Sequence, residues 1–231
     1  MFTPPPPNCP LCPRLVAFRQ ANAGLFPHFF NGAVPSFGGL EAELLVVGLA
    51  PGLKGANATG RPFTGDYAGE VLYSALAKYD LAEGSYERRA DDGFHLLNVR
   101  ITNAVRCVPP ENKPTPLEEK TCNPFLIDEL AAMPNLKIIL SLGLTSHNAV
   151  LRTLKLKAKD FKFAHGAVHQ VGARGSGFGT RERNNEPRAT SHEPLLLLDS
   201  YHTSRYNIST GRLTQDMFDA VVARAKALLG H

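Results

Sequence analysis

Long hydrophobic runs are missing from this sequence. No apolar stretch approaches the roughly 20 residues that a membrane-spanning helix needs. The first residues, MFTPPPP, have neither the basic flank nor the apolar core of a secretory signal peptide. We therefore expect a cytoplasmic protein without a membrane partner.

The signatures of the common nucleotide-binding loops are also missing. The stretch GLAPGLKGANATGRPFTGD, residues 48–66, holds five glycines and follows the apolar run Leu44 to Val47, like a phosphate-binding loop. It lacks both the Gly-Lys-Ser/Thr ending of a P-loop and the G-x-G-x-x-G pattern of a dinucleotide fold. A nucleotide-binding enzyme that uses this loop is therefore an unfavoured hypothesis.

A large excess of charge of either sign is missing, and no internal repeat is visible. The 231 residues carry a formal net charge of +4, with 43% hydrophobic and 20% charged residues. This composition is that of an ordinary globular protein, and the length suffices for one sizeable core. We predict a single domain over residues 1–231 and a monomer. The mild basic excess permits a polyanionic partner without requiring one.

Four short apolar runs predict β-strands that are buried on both faces. They are rich in Leu, Ile and Val and do not alternate with polar residues. The runs are Leu44 to Leu49, Leu96 to Thr102, Lys137 to Leu142 and Leu195 to Ser200. Because helical patterns lie between them, we predict an α/β sandwich around a mostly parallel sheet.

Four helices are predicted from capping residues and apolar spacing. One follows Asp66, which we interpret as its N-cap, and a second begins at the capping box Thr115-Pro116-Leu117-Glu118. Thr145 is a candidate cap for a third helix, and the last helix follows Leu213.

Each predicted strand runs into an unusual polar segment. These segments are residues 50–66, 103–113, 143–147 and 201–212. Ligands of parallel α/β sheets bind beyond the carboxyl ends of the strands. We therefore expect a binding site at that edge of the sheet.

Residues 172–193 differ from the rest of the chain. They are rich in Gly, Arg and Asn and have almost no aliphatic residues, which predicts a long flexible insertion. Its four arginines are able to contact a phosphate backbone, but a solvated insertion explains the composition equally well.

The four cysteines form two groups. Cys9 and Cys12 make a C-x-x-C pair in an N-terminal arm of residues 1–13, and Cys107 and Cys122 follow the second predicted strand. This set can close a thiolate site for zinc or for an iron–sulfur cluster, and the spacing does not choose between them. Buried cysteines without a metal are the other explanation, which the proline-rich surroundings of Cys9 weaken.

Three long segments carry a family resemblance. They are GLAPGLKGANATGRPFTGD, LNVRITNAVRCVPPENKPTPLE and SYHTSRYNISTGRL. Taken with the four cysteines, they resemble the iron–sulfur uracil-DNA glycosylases, and most closely the family-5 or type-b branch. The resemblance covers about residues 9–170 and 195–229.

The resemblance implies a three-layer sandwich with a central four-stranded parallel sheet flanked by helices. It also implies a [4Fe–4S] cluster held by Cys9, Cys12, Cys107 and Cys122, which favours iron over zinc. The implied activity is DNA repair by monofunctional hydrolysis of the N-glycosidic bond of uracil in DNA. Hypoxanthine and other deaminated bases are further candidate substrates.

A base inside a duplex must be flipped into a pocket before such chemistry. Gly48 and Ala50 are small enough to let the backbone approach a nucleotide closely. Phe63 can stack on the flipped base, with a core aromatic as the alternative interpretation. Asn103 carries both a donor and an acceptor and so can read one edge of uracil, although a turn-forming Asn is also common.

His202 follows the last predicted strand. An imidazole N–H near O2 of uracil would stabilise the departing base electrostatically, whereas the alternative is a structural histidine. At the place where more distant relatives often carry a polar group, this chain has Ala50. The resemblance suggests that Asn57, seven residues later, orients the attacking water, although an amide cannot act as a true base.

Several polar residues follow His202. Ser204, Arg205, Asn207 and Arg212 carry hydroxyl, amide and guanidinium groups that suit DNA phosphates. Thr203 stands where family members commonly have proline, so the shape of this loop is an open question.

The main alternative belongs to a different class of protein. A metal-stapled nucleic-acid-binding protein without catalysis would also account for the cysteines, the basic insertion and the weak amide at Asn57. Retained DNA binding without release of any damaged base would favour it.

Overall fold

The computed structural model of the protein describes residues 2–173 and 194–230. Its strands are β1 (Leu44–Gly48), β2 (Ala82–Glu83), β3 (His95–Leu96), β4 (Val99–Asn103), β5 (Ile138–Leu142), β6 (Val168–Ala173) and β7 (Pro194–Ser200). Its helices are α1 (Pro13–Leu25), α2 (Ala56–Thr59), α3 (Tyr67–Lys78), α4 (Pro116–Ala131), α5 (Leu144–Thr153), α6 (Arg205–Ser209) and α7 (Gln215–Leu229).

The central sheet has the order β4-β1-β5-β7-β6. The four strands predicted from sequence are present and run parallel. The expected four-stranded sheet is nevertheless too small, because β6 adds a fifth strand that runs antiparallel to β7 at the edge. Its sequence, VHQVGA, mixes apolar and polar residues and lacks the continuous apolar run of a central strand.

The predicted insertion at 172–193 begins too early. Gly172 and Ala173 belong to β6, where Gly172 pairs with Leu195. Residues 174–193 lie outside the described part of the chain, so the prediction of a flexible segment stays a prediction there.

Two hydrophobic layers cover the two faces of the sheet. Successive residues of a strand point to opposite faces. Leu44 and Val46 therefore pack in the cluster that includes α3 and α7, and Leu45 and Val47 pack in the cluster that includes α4 and α5. This arrangement confirms the α/β sandwich.

Most helix caps follow the sequence pattern. The Asp66 carboxylate accepts a hydrogen bond from the Gly69 amide at the start of α3, and Thr115 forms its capping box with Glu118. The proposed cap at Thr145 is wrong, because α5 begins at Leu144. Gly143 is the N-cap there, and its φ of 98° is a conformation that only glycine adopts readily.

Helix α1 is not predicted from the sequence. Its buried positions are Leu15, Arg19 and Asn22, so two of the three are polar and no apolar stripe marks the helix. Among the described residues, no helix is both long enough and apolar enough to cross a membrane.

Candidate functional site

The carboxyl edge of the sheet brings Gly48, Phe63 and Asn103 together. The register of β1 and β4 places Gly48 directly beside Asn103. A Cβ atom at position 48 would overlap both Asn103 Oδ1 and the Phe63 ring. Glycine is therefore required for these two buried side chains to meet over the end of β1.

Phe63 lies between this edge and His202. The centroids of the Phe63 and His202 rings are 6.0 Å apart, and their planes differ by 29°. The backbone of Phe63 has a φ of 53°, which is unusual and strained for a residue other than glycine. Such strain persists only where surrounding contacts hold the backbone. Tyr86 Oη donates to the Phe63 carbonyl oxygen at 3.3 Å.

Arg61 fixes the neighbouring part of the loop. Its guanidinium forms two hydrogen bonds with Asp92, at 2.7 and 2.8 Å, and its Nε donates to Thr64 Oγ1 at 2.8 Å. Burial raises the pKa of Asp92, but Arg61 and the amides of Glu87 and Phe94 hold it well below its usual range. This ion pair fixes the loop between β1 and α3 to the segment that contains Asp92.

His202 is partly buried at the end of β7, where it borders a cavity. Burial lowers the pKa of its imidazole to about 4, so the ring is neutral at pH 7. Asn207 Nδ2 donates to the His202 carbonyl oxygen at 2.8 Å. The predicted DNA-contacting residue Asn207 thus has an internal partner and holds the histidine loop in place.

A cavity of about 590 Å³ opens beside His202. Of the predicted site residues, it is lined by Ala50, His202, Ser204 and Arg205. Lys54, Asp66 and Arg88 also line it, and they were not among the predicted site residues. Burial raises the pKa of Asp66, partly offset by hydrogen bonds from the amides of Gly69 and Ala68.

Asn57 lies behind the loop and is not among the residues that line this cavity. Its side chain is fully buried, and Nδ2 donates to Asn31 Oδ1 at 3.0 Å. Its Oδ1 atom has no hydrogen-bond partner among the described residues. A buried carbonyl oxygen without a partner is a place where a water molecule would be bound.

The segment after His202 is held by its own contacts. Ser204 caps α6 by accepting from the Asn207 amide at 3.3 Å. The guanidinium of Arg205 lies 5.5 Å from the Tyr67 ring centroid, and that of Arg212 lies 4.7 Å from the Tyr201 centroid. Thr203 is fully buried.

The four cysteines converge on a second location, which we call the cysteine site. Cys9, Cys12, Cys107 and Cys122 all border one cavity between α1, α4 and the segment after β4. Burial, together with the proximity of the other thiols, raises the pKa values of Cys12 and Cys107 to about 11. The N-terminal arm therefore lies against the segment that follows the second predicted strand.

Comparison with known proteins identifies the family. The model of the uracil DNA glycosylase superfamily matches residues 35–226. The chain belongs to the uracil DNA glycosylase superfamily. A type-5 uracil-DNA glycosylase of Thermus thermophilus is 40% identical over 96% of this chain and 94% of its own length.

More distant superfamily members also match. A type-5 uracil-DNA glycosylase of Pyrobaculum aerophilum is 37% identical, over 96% of this chain and 90% of its own length. A type-4 uracil-DNA glycosylase of the same organism is 32% identical over 71% of this chain and 69% of its own length. The resemblance to the type-5 branch is thereby confirmed over nearly the whole chain.

Sequence reasoning missed residues whose contacts join distant parts of the chain. Arg61 and Asp92 are 31 residues apart, and no local pattern joins them. Tyr206 was also missed, although its 73% exposure beside the cavity residue Arg205 makes it available to a large ligand. An aromatic residue in a polar loop was the signal that could have identified it.

A network of polar side chains surrounds Asp199 near the end of β7. His147 Nδ1 lies 2.8 Å from Asp199 Oδ1, and His169 Nε2 lies 3.3 Å from Asp199 Oδ2. Ser141 donates to the same carboxylate at 2.7 Å, and His147 Nε2 faces the Phe161 carbonyl oxygen at 2.9 Å. These partners satisfy the buried carboxylate and secure the end of β7, three residues before His202.

Proposed function

We propose that this protein is a monofunctional uracil-DNA glycosylase that hydrolyses the N-glycosidic bond and leaves an abasic site. The observation that carries the proposal is the convergence of Gly48, Phe63, Asn103 and His202 at one edge of the sheet. Membership of the superfamily and the type-5 relatives support the same activity.

The base is bound by two side chains in this proposal. Phe63 presents a ring face on which a flipped base stacks. Asn103 donates to O4 and accepts from N3–H of uracil, a pattern that cytosine does not match. Leaving both groups unpaired would cost roughly 1–3 kcal/mol each, which gives discrimination against cytosine.

His202 stabilises the departing base. Cleavage places negative charge on uracil, and a fixed N–H directed at O2 interacts more strongly with that anion than with the bound base. The low pKa of His202 supports a neutral donor. No proton needs to be transferred.

Asn57 positions the attacking water in this proposal. The unpartnered Oδ1 atom is an acceptor for a water hydrogen, while Nδ2 is already fixed by Asn31. Since an amide does not remove a proton, departure of the base precedes attack by water. Ala50, whose side chain is small, lines the cavity beside His202.

DNA is held by the basic and polar residues around the cavity. Arg205 and Ser204 line it directly, and Arg212 and Asn207 lie in the same segment. Their groups suit phosphate oxygens, and the cavity residues Lys54 and Arg88 add positive charge. The contacts of Ser204 and Asn207 within the protein also hold the segment after His202 in place before DNA binds.

The proposal includes a [4Fe–4S] cluster on Cys9, Cys12, Cys107 and Cys122. A single zinc ion holds four sulfurs at about 2.3 Å, which brings them within roughly 3.8 Å of one another. In the described part of the chain, one set of three side chains brings its possible metal-binding atoms within 4.8 Å of one another, namely His147, His169 and Asp199. No cysteine belongs to this set.

The absence of the cysteines from such a compact group of described residues supports a cluster over a single zinc ion, because a cluster can bind each thiolate through a different iron. When bound, such a cluster supplies four metal–thiolate bonds that tie the N-terminal arm to the rest of the domain. The hydrolysis itself requires no electron transfer, so the proposed role of the metal is structural.

The decisive experiment is base excision from a duplex with one U·G pair, measured as alkali-labile strand breaks under single-turnover conditions. We expect breaks with the native protein and roughly 10²–10³-fold slower cleavage by His202→Ala, with DNA binding retained. His28→Ala is the matched control, because His28 is exposed and does not line the cavity.

Equal cleavage by His202→Ala and the native protein would contradict the assigned role of this residue. DNA binding without release of uracil or hypoxanthine would instead favour a non-catalytic, metal-stapled binding protein. The same assay with an I·T pair tests whether the base range extends to hypoxanthine. Sedimentation analysis tests the expected monomer.

A further inference from the structure

Arg19 is a buried cation without a carboxylate partner among the described residues. It lies on α1 and is only 6% exposed. Its Nη1 atom donates to Cys107 Sγ at 3.1 Å, and its Nη2 atom donates to the Cys9 carbonyl oxygen at 3.0 Å. Both partners belong to residues of the cysteine site.

A buried guanidinium is costly unless an anion faces it. A neutral thiol is a poor partner, because its sulfur is only a weak hydrogen-bond acceptor. A thiolate on a metal is a far better one, since it carries negative charge. The position of Arg19 is therefore explained if Cys107 is a metal-bound thiolate.

The neighbouring charges strengthen this explanation. Arg106 also borders the cysteine site, but its guanidinium pairs with Glu129, which pairs with Arg100 as well. Arg19, Arg100, Arg106 and Glu129 are all buried, and Glu129 pairs with Arg100 and Arg106 but not with Arg19. The protein around the cysteine site thus has an excess of buried positive charge, as an anionic metal–thiolate centre would require.

We propose that Arg19 is a positioning residue for the metal centre, which holds the Cys107 thiolate by a charge-assisted hydrogen bond and retains the cluster. Hydrogen bonds and positive charge near a ligating sulfur also favour the more reduced, more negative cluster. Arg19 therefore raises the reduction potential. This inference rests on the cluster proposed above and adds a residue outside the ligand set.

The test uses the full-length protein with its metal as purified, and the variants Arg19→Gln and Arg19→Lys. We measure the rate of iron release to a ferrous chelator and the reduction potential by protein-film voltammetry. Arg19→Gln should release iron roughly 10–100-fold faster, as is typical when a residue supporting a metal ligand is lost. Its potential should move to a more negative value.

Arg14→Gln is the matched control. Arg14 lies on the same helix and loses the same charge, but its side chain is 42% exposed and pairs with Glu118 at 2.7 Å. We expect release rate and potential close to those of the native protein. Arg19→Lys keeps the charge without the planar fork, so its potential should lie between those of the native protein and Arg19→Gln.

A native-like potential and iron release in Arg19→Gln would overturn the inference. If Arg19→Gln is recovered without iron, the Arg19→Lys variant provides the test. Iron release that is faster than in the native protein, with an unchanged reduction potential, would show that Arg19 only packs against the site and would overturn the inference. Native protein without iron would overturn the proposed cluster, whereas native protein with iron and an unaffected Arg19→Gln would overturn only this inference. Excision of uracil is scored separately and depends on neither result.

Discussion

His202 illustrates how its surroundings set the chemistry of a single residue. Burial lowers the pKa of the His202 ring to about 4, below that of an exposed histidine, because burial disfavours the charged form. Above that pH the ring is neutral and below it the ring is protonated. A neutral donor and a titrating general base therefore differ in their pH dependence.

We predict that the single-turnover rate of uracil release changes little between about pH 5.5 and pH 8. If His202 instead acted as a general base with an ordinary pKa near 6.5, the rate would fall strongly as the pH is lowered from 8 to 5.5, because the ring would become protonated. Rates measured in buffers of matched ionic strength distinguish the two cases. A rate that falls tenfold per pH unit below pH 6.5 would contradict the assignment of a neutral donor.

Gly48→Ala should impair catalysis without unfolding the protein. The added methyl group would overlap Asn103 Oδ1 and the Phe63 ring, so both must move from their positions. We expect uracil excision to fall by roughly 10²-fold, as is usual when catalytic groups are displaced by about 1 Å. Single-turnover excision and a thermal melt give the two readouts.

Gly24→Ala is the control for Gly48→Ala. A Cβ at Gly24, in α1, meets no atom within 4 Å. Replacing glycine by alanine at this exposed position in the last turn of the helix should stabilise the protein by at most about 1 kcal/mol and leave excision unchanged. If Gly48→Ala excises uracil as fast as Gly24→Ala, the close contact at the end of β1 is not required.

At the scale of elements, the loop between β1 and α3 depends on a buried ion pair. Asp92→Asn should destabilise the protein by about 3–5 kcal/mol, because it leaves the Arg61 guanidinium buried without its counter-charge. Urea denaturation at pH 7 measures the loss. The control is Glu87→Gln, since Glu87 pairs with Arg89 at the exposed surface and should contribute less than about 1 kcal/mol.

The same pair predicts how stability depends on acid. The pKa of Asp92 is lower in the folded protein than in the unfolded chain. Its contribution is therefore complete above the unfolded value of about 3.9 and is lost as the pH falls below it. Asp92→Asn should lose less stability than the native protein between pH 5 and pH 3. Parallel losses in both would contradict the pairing.

The elements that sequence predicts well are those with local signals. The buried runs of β1 and β5 and the capping box at Thr115 need no knowledge of the rest of the chain. Helix α1 was missed because its buried face carries Arg19 and Asn22 and so has no apolar stripe, and Arg19 is held by Cys107, which is distant in sequence. Strand β6 was missed because an edge strand lacks a continuous apolar run.

The site residues likewise fall into those with a local sequence signal and those without one. Gly48, Phe63, Asn103 and His202 lie in motifs at strand ends, and the sheet register brings them together. The partners that hold them come from elsewhere in the chain: Asp92 is fixed on Arg61 across a long sequence separation. Such contacts depend on tertiary packing, which no spacing rule encodes.

At the scale of the whole molecule, the cysteine site joins the N-terminal arm to the domain. Cys9→Ser would remove one ligand of the proposed cluster and should weaken its binding, which would contribute to folding. We expect Tm to fall by at least about 5 °C, because 1 kcal/mol corresponds to roughly 2–4 °C in a domain of this size. Differential scanning calorimetry measures the shift.

Two comparisons make that result specific. Removal of the proposed cluster from the native protein should lower Tm by a similar amount and should have little further effect on Cys9→Ser. Leu11→Ser, at an exposed position between the two arm cysteines, should leave Tm nearly unchanged. An unchanged Tm in Cys9→Ser would show that the arm is not held through this residue.

The strands on either side of residues 174–193 determine where a foreign sequence can be added to this protein. Ala173 pairs with Pro194, so the chain leaves and re-enters the sheet at adjacent points. These points lie at the start of β7, whereas His202 follows its end, about 20 Å away along a seven-residue strand. Because the entropy of closing a loop rises slowly with its length, this junction can accept a short hairpin turn or an inserted reporter domain. The chemistry at the opposite edge would be left intact.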